Sequence, residues 1–508
     1  MEVNQRKAGA LLNYCILFLN TLLCLAYTPY MLRMLGQEEY GLYSLVASVI
    51  SYLTLLDLGF GNAIIRYTAK YRTEGKTEKQ YEMYGMFLVL YTIIGVFSFL
   101  LGLGLYFNVD VLFGATMSDS ELEKARVMLL LLNFNLAFTF PMSVFRSIVP
   151  AYERFTFQKG ISIARIILNV IVMVLLLREG YKAMAMVVVQ TIFNVLTLLA
   201  DFWYCKYRLR VKFFIRRFDK GLLKEVSCYS FWIFLNAIMD KIYWGTGQFV
   251  LGMTIGTAAV AVFAVAIQFQ SMYMQFSTAI SGVFLPKVTN IVVKNDDKKQ
   301  ISDLFIRTGR LQYIVMSFIL VGFILFGRAF ICLWAGTGYE ESYYITLLFF
   351  VPLTVPLIQN MGIIILQARN QMKFRSLLYI CIALVSLVFQ FVFSQYWGSI
   401  GCAIAISGAL VLGQIIALNI YYGVVQNIDI VSFWKEIMKM SIVPIVMGML
   451  AYTCLSYFEV SLDTWSRLFV SILFFSVVYI PLFFWGSMNE EEQNLILAPI
   501  RNIIRRKC

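Results

Sequence analysis

Apolar residues along this chain form long, nearly continuous runs, and short polar stretches separate each run from the next. An α-helix rises 1.5 Å per residue, so about 20 apolar residues cross a hydrocarbon core about 30 Å thick. We therefore expect an all-α polytopic membrane protein with about fourteen transmembrane helices. The predicted spans are 11–31, 42–65, 84–107, 127–145, 161–177, 183–204, 229–252, 258–285, 311–333, 344–366, 376–394, 400–422, 438–458 and 467–486.

The composition supports this class of protein. Of the 508 residues, 60% are hydrophobic and only 14% are charged, and the mean hydropathy is +0.75. A water-soluble domain of this size does not expose so apolar a surface. The chain has no histidine, which removes the commonest general base and metal ligand, and its nine cysteines show no metal-binding spacing. We expect no metal and no cofactor.

The formal net charge of +13 is compatible with a nucleic-acid partner, but the distribution of the charges argues against one. If the N-terminus lies in the cytoplasm, alternate loops collect most of the Lys and Arg residues on the cytoplasmic side, as the positive-inside rule requires. Outer loops carry carboxylates instead, among them Asp110, Glu121 and Glu340. We therefore predict that both termini are cytoplasmic and that the protein binds no nucleic acid. The largest cytoplasmic cluster is Lys206, Arg208, Arg210, Lys212, Arg216, Arg217, Lys220 and Lys224.

Two segments repeat each other weakly. LGQEEYGLYSLVA (35–47) follows the first span and IGTAAVAVFAVAI (255–267) follows the seventh, so that Gly36 corresponds to Gly256. Six spans separate the segments, which predicts two parallel six-helix lobes related by an axis along the membrane normal. The predicted division is an N-lobe at 1–205, a basic linker at 206–226, a C-lobe at 227–423, two further helices at 424–488 and a basic interfacial tail at 489–508.

The linker, the tail and three glycines are smaller features of the sequence. The linker and the tail mix basic and bulky apolar residues, which is typical of segments lying on an anionic membrane surface, although a solvated linker and tail fit the sequence as well. Gly36, Gly41 and Gly256 are interpreted as positions of close helix packing rather than as ligand contacts.

Charged residues inside the membrane provide the main functional signal. Asp240 and Lys241 lie near the middle of the apolar stretch Tyr229–Gly252, too deep to reach water by snorkelling. Facing lipid, each would cost about 2.5–3.5 kcal/mol on the insertion scale. The pair therefore indicates either the wall of a polar cavity or a structural ion pair buried between helices.

Further polar residues in the spans are candidates for the same cavity. Arg66 and Arg165 could contact a phosphate group or snorkel to the headgroups of the inner leaflet. Asp57 could couple an ion to transport or pair with a lysine. Asn20 and Gln248 could bind sugar hydroxyls or bond neighbouring helices. Other amides in the spans include Asn133, Asn135, Asn169, Gln190, Asn194, Gln268, Gln275, Gln359 and Asn360.

Three stretches resemble a known family: YTPYMLRMLGQEEYGLYSL, LLDLGFGNAIIRYTAKY and GQFVLGMTIGTAAVAVFAVA. They are similar to the polysaccharide-biosynthesis (O-antigen and capsule) flippases of the multidrug/oligosaccharidyl-lipid/polysaccharide exporter superfamily. The resemblance implies two lobes that enclose a cationic cavity and work by alternating access. It also implies an undecaprenyl-diphosphate-linked oligosaccharide as cargo, flipped outward across the bacterial cytoplasmic membrane for assembly of surface polysaccharide.

The expected partners follow from this resemblance: lipid-linked oligosaccharide, membrane lipids, a coupling ion such as H⁺ or Na⁺, and the polysaccharide polymerase machinery. The chain carries no GxxxxGK[ST] loop, so we expect a secondary transporter without an ATPase of its own. Short outer loops disfavour a membrane enzyme. The alternatives are a cation-coupled multidrug exporter and a lipid II-type flippase of the same superfamily.

Overall fold

The computed structural model describes residues 5–215, 220–281, 297–369 and 371–495, together with 288, 291, 292 and 497. These residues form helices and no strand. The helices are α1 (Gln5–Leu53), α2 (Phe60–Thr73), α3 (Thr77–Phe107), α4 (Val109–Phe113), α5 (Asp119–Ala151), α6 (Phe155–Arg178), α7 (Ala183–Trp203), α8 (Lys220–Thr254), α9 (Thr257–Ser281), α10 (Lys298–Trp334), α11 (Glu341–Ile358), α12 (Asn360–Ala368), α13 (Met372–Leu410), α14 (Leu418–Val424), α15 (Ile430–Tyr457) and α16 (Trp465–Gly486). Short 3₁₀ turns occur at Thr54–Asp57 and Thr337–Tyr339, and π-helical turns at Tyr204–Arg208 and Val411–Ala417.

Eleven helical segments of the described chain are long and apolar enough to cross a membrane. The prediction of an all-α polytopic membrane protein is therefore confirmed, while the count of fourteen spans stays a prediction. Two of the eleven segments, Phe18–Thr73 and Met372–Val424, contain a break in their helical backbone, at Gly36 and at Trp397–Gly398. The breaks lie where the sequence predicts turns between consecutive spans.

The two repeated segments share a backbone feature. Gly36 has φ +76° and Gly256 has φ +125°, so each segment turns at a glycine in a region that other residues rarely adopt. A Cβ on Gly36 would meet no atom within 4 Å, so the packing interpretation of Gly36 was wrong. Gly41 does serve packing, because a Cβ there would overlap the carbonyl group of Thr257.

The contacts divide the chain into two compact units, the N-unit (Met1–Ala264) and the C-unit (Val265–Cys508). The N-unit includes α8, which the sequence assigns to the C-lobe. The N-terminal turns of α8 contribute Leu222 and Val226 to the same buried cluster as Tyr84 and Ile148. The predicted lobe and linker boundaries stay a prediction.

The N-unit has a basic end and an acidic end. At the basic end, Arg72 stacks over the ring of Tyr152 at 4.2 Å and donates to the carbonyl of Ala151 at 3.3 Å. Gln80 donates to the Tyr152 hydroxyl at 2.8 Å, and burial raises the pKa of that hydroxyl above its usual value. The acidic end carries Glu39, at the opposite end of the long helices.

A buried ion network joins three parts of the C-unit. The Arg310 side chain on α10 is 7% exposed and donates to both carboxylate oxygens of Glu492, at 2.6 and 2.9 Å. The same guanidinium donates to Glu436 on α15 at 2.7 Å and to the carbonyl of Ser487 at 3.3 Å. The segment after α16 is therefore fixed to α10 and α15.

Candidate substrate site

Helix α8 presents Asp240 and Lys241 along the N-unit. Asp240 is exposed, whereas Lys241 is half-buried and lies within the electrostatic influence of its neighbour. One turn later, the carbonyl of Gly245 accepts a hydrogen bond from Ser48 of α1 at 3.1 Å. This contact fixes the middle of α8 on α1, so Lys241 has a defined position in the N-unit. Gln248, also predicted as a cavity residue, is half-buried on the same helix.

Both ends of α8 are also anchored, the N-terminal end through Leu222 and Val226 in the buried cluster that contains Tyr84. Near its C-terminus, the carbonyl of Gly252 accepts a hydrogen bond from the hydroxyl of Thr116 at 2.6 Å. The Phe249 ring packs edge-on against Phe113, with centroids 5.9 Å apart. A helix held at its middle and at its ends is a rigid support for the charged pair that it carries.

Arg165 lies in a second polar group, formed by α5, α6 and α7. Its guanidinium is half-buried and donates to the side-chain carbonyl of Asn194 at 3.3 Å. The Asn194 amide donates in turn to Asn135 at 2.7 Å and to Thr139 at 2.8 Å. These residues come from the middle of three apolar helices, so the network is a polar island within hydrocarbon-spanning structure.

Two charged residues that the sequence interpretation did not single out lie near this island. Asp201 on α7 is 2% exposed, and Arg146 on α5 acts on it as a neighbouring positive charge. Arg146 also acts on Arg165. The buried Asp201 carboxylate thus lies in the electrostatic field of the Arg146 guanidinium. The sequence could have identified Asp201, because it is a carboxylate within the predicted span 183–204.

Asp57 has a different neighbour from those expected. It ends the 3₁₀ turn Thr54–Asp57, and its carboxylate accepts a hydrogen bond from the buried Tyr91 hydroxyl at 2.7 Å. The backbone N–H of Gly59 also donates to it. Asp57 therefore holds the break between α1 and α2 against α3, a role that needs no lysine partner.

The remaining predicted residues lie on α1 and α2. Arg66 is exposed on α2, with its guanidinium 5.8 Å from the Tyr67 ring. Asn20 is exposed on α1. The hydrogen bonds of the Arg165 network join Arg165, Asn194, Asn135 and Thr139. The structure thus brings together one predicted cation with two predicted amides, Asn135 and Asn194.

A polar pocket of about 450 Å³ lies at the acidic end of the N-unit. Two of its carboxylates, Glu39 and Glu121, have partners. Glu39 accepts from Lys124 at 2.5 Å and from the backbone N–H of Ala183 at 3.2 Å. Glu121 closes a capping box with Ser118 and accepts from Thr257 at 2.8 Å. These bonds cap helices α5 and α7 and fix the turn between α8 and α9. Glu39 and Glu121 therefore have structural roles in the N-unit.

Comparisons with known proteins show the family and the fold of the chain. Residues 7–292 match the family described as polysaccharide biosynthesis protein. The chain is 21% identical to the uncharacterized membrane protein EpsK of Bacillus subtilis (strain 168), over 96% of this chain and 97% of that protein. It is 20% identical to a Shigella flexneri protein named "Putative O-antigen transporter", over 83% of this chain and 98% of the relative.

Two solved structures share the fold. The lipid II flippase MurJ in an inward closed conformation matches with a TM-score of 0.67 at 17% identity, over 93% of this chain and 99% of that one. An inward-facing multidrug resistance MATE family transporter of the MOP superfamily matches with a TM-score of 0.63 at 14% identity, over 80% and 98%. Since the family match covers more than half of the sequence, the chain belongs to the polysaccharide biosynthesis protein family and has the fold of these membrane transporters.

Proposed function

We propose that this protein flips undecaprenyl-diphosphate-linked oligosaccharide repeat units from the inner to the outer leaflet of the bacterial cytoplasmic membrane. It does so by alternating access, as a step in assembly of O-antigen, capsule or exopolysaccharide. Its family and a relative named as an O-antigen transporter support this cargo. The observation that carries the proposal is the Arg165 network, a guanidinium and two amides in the middle of apolar helices.

The chemistry of the network fits this cargo. A lipid-linked diphosphate carries about two negative charges, and taking such charges out of water without partners costs many kcal/mol. Arg165 and Arg146 supply positive charge for the diphosphate, and Asn135 and Asn194 supply amides for sugar hydroxyls. Lys241, half-buried on α8, supplies a further cation in the N-unit. We assign these residues to recognition of the polar headgroup.

We also propose that transport is coupled to the movement of an ion. Moving one elementary charge across the membrane potential yields about 2.3 kcal/mol per 100 mV, enough to bias a transport cycle. Asp201 is a buried carboxylate beside the Arg146 cation, so it is the side chain of the N-unit that we propose exchanges a proton during transport. The proposed orientation places the basic end and both termini in the cytoplasm.

A lipid II-type flippase is the second candidate, favoured by the structural match to MurJ. Both candidates carry a polyprenyl diphosphate, and they differ in the attached sugar. The cation-coupled multidrug exporter is less well supported, because half-buried cations such as Arg165 and Lys241 repel the cationic drugs that such an exporter carries.

The test is mass spectrometry of lipid-linked sugars in a deletion strain. The deletion should accumulate polyprenyl-diphosphate oligosaccharide on the inner leaflet and lose surface polysaccharide. Accumulated lipid II would select the second candidate. Normal surface polysaccharide and normal lipid-linked sugars, in a strain without a redundant flippase, would refute both.

A variant pair then locates the headgroup site. Arg165→Gln should lower the flipping rate about 30-fold, because a hydrogen bond to a charged group contributes about 2 kcal/mol. Lys241→Ala should act in the same direction. Arg178→Gln is the matched control, since Arg178 is an exposed arginine in the last turn of the same helix α6. Equal activity of Arg165→Gln and Arg178→Gln, at equal membrane abundance, would remove Arg165 from the site.

A further inference from the structure

The segment after α7 is held against the N-unit as an ordered strap. We define the basic strap as residues 206–215, which follow the last turn of α7. The backbone N–H of Val211 donates to the carbonyl of Cys205 at 3.1 Å, and that of Phe214 donates to the carbonyl of Tyr81 at 3.1 Å. Gly85 of α3 makes the second contact possible, because a Cβ at that position would overlap the Phe214 carbonyl.

Alternate side chains of the basic strap point into the N-unit. Val211 is 8% exposed and belongs to the buried cluster that contains Tyr84 and Phe145. Leu209 and Phe213 pack against this cluster, and the Phe213 ring lies 5.1 Å from that of Phe145. This inward face explains why the strap follows one defined path.

The intervening side chains form an outward row of cations. Arg208, Arg210 and Lys212 are exposed, and so is Lys206, two residues before Arg208. Within the described part of the chain, no ion pair joins any of these four residues to a carboxylate. The N-unit thus presents four positive charges on a rigid support, and no described acid neutralises them.

The position of the row relative to the membrane is marked by large exposed apolar residues. Trp203 is 59% exposed, Tyr207 62% and Ile215 70%. The apolar span Ala183–Arg208 ends inside the strap. Aromatic side chains are enriched where a membrane meets water, and basic residues beside them lie at the level of lipid headgroups.

We infer that the basic strap binds the headgroups of anionic phospholipids in the leaflet at the basic end of the N-unit. The phosphate oxygens contact the outward cations, while Trp203, Tyr207 and Ile215 lie beside the acyl chains. The proposal takes the membrane-surface interpretation for the first ten residues of the 206–226 linker, with the N-unit on one face and lipid on the other. The inference does not depend on the transported cargo.

The experiment uses the purified full-length protein in dodecyl maltoside micelles, titrated with phosphatidylglycerol or with phosphatidylcholine. Native mass spectrometry counts the bound lipids and gives an apparent Kd for the first adducts. We expect phosphatidylglycerol to bind at least tenfold more tightly than phosphatidylcholine, and the difference to shrink as salt is added. Equal binding of the two lipids would overturn the inference.

Three variants separate the strap from other basic residues. The triple variant R208Q/R210Q/K212Q should weaken phosphatidylglycerol binding about tenfold, and R208K/R210K should retain it, because the charge is kept. K298Q/K299Q/K373Q removes the same number of exposed cations elsewhere and should bind as the wild type does. Unchanged binding by the strap triple variant, or an equal loss in the control triple variant, would refute the assignment. Because the substituted side chains point outward, the unfolding temperature should stay unchanged, and this measurement excludes misfolding as the cause.

Discussion

Because Gly41 has no side chain, its backbone packs directly against the turn between α8 and α9. Its backbone lies against the carbonyl group of Thr257, and Thr257 is bonded through its hydroxyl to Glu121. The turn between α8 and α9 is therefore in contact with α1 and α5 at once. A backbone carbonyl cannot rotate away as the tip of a long side chain can, so this contact tolerates no added atom.

We predict that Gly41→Ala lowers the stability of the protein by about 1–3 kcal/mol, the usual effect of overpacking. The matched control is Gly104→Ala on α3, where a Cβ would meet no atom within 4 Å and where alanine favours the helix by about 0.5–1 kcal/mol. Differential scanning fluorimetry of purified protein should show a lower unfolding temperature for the first variant only. An unchanged temperature for Gly41→Ala would mean that the α8–α9 turn moves freely.

Single residues also show what the sequence could not predict. Tyr91, the buried tyrosine that donates a hydrogen bond to Asp57, lies 34 residues further along the chain, and nothing in the local sequence pattern identifies it. Arg165 was predicted as a cavity residue from its depth in an apolar span, but its partner Asn194 depends on how α6 and α7 pack. Asp201 was missed, although a carboxylate inside a span is the kind of residue that the same argument selects.

The ion network around Arg310 on α10 holds the segment that follows α16. Three partners, Glu492, Glu436 and the carbonyl of Ser487, occupy the guanidinium. Glu492 is only 2% exposed, so its charge has no access to water. The polar residue patterns of α10 and α15 gave no sign of this contact, because it joins residues more than 100 positions apart.

We predict that Arg310→Met destabilises the C-unit by about 3–5 kcal/mol, because it leaves Glu492 buried without a counter-charge. The double variant Arg310→Met/Glu492→Met should recover most of this loss, since both charges are then absent. Arg307→Met is the matched control: its ion pair with Glu491 is exposed and contributes about 0–1 kcal/mol. Thermal unfolding and limited proteolysis near residue 488 measure the effect.

The order of stability of these three variants distinguishes the possible explanations. If Arg310→Met were no less stable than Arg307→Met, the network would be a surface contact rather than a buried one. If the double variant were as unstable as the single variant, packing of the Arg310 stem would explain the loss instead of the unpaired carboxylate.

For the whole molecule, the hydrophobic pattern predicted the fold class because lipid imposes so strict a requirement on the backbone. Polar backbone groups in hydrocarbon must bond within the protein, and a continuous apolar run of about 20 residues can do this alone only as a helix. The division into compact units depends instead on contacts between helices. This is why α8, assigned to the C-lobe from the repeat, packs within the N-unit.

The number of spans and their orientation are open to a direct test. With fourteen spans and a cytoplasmic N-terminus, the loops at Glu74 and Asn427 lie in the cytoplasm and those at Asn108 and Asp463 lie outside. All four residues are exposed. In a variant with its nine cysteines replaced by serine, single cysteines at these positions report their side through labelling of intact cells with a membrane-impermeant maleimide.

We expect labelling at Asn108→Cys and Asp463→Cys, and labelling at Glu74→Cys and Asn427→Cys only after the cells are opened. The comparison of Asn108 with Asp463 tests the number of spans, because a single missed or additional helix between them would place the two residues on opposite sides of the membrane. Such a result would also reverse the positive-inside distribution for every loop after the error, which the charge pattern disfavours. Labelling of Asn108→Cys and Asp463→Cys on the same side, with Glu74→Cys on the other, would therefore establish an even number of spans between the first and last outer loops tested.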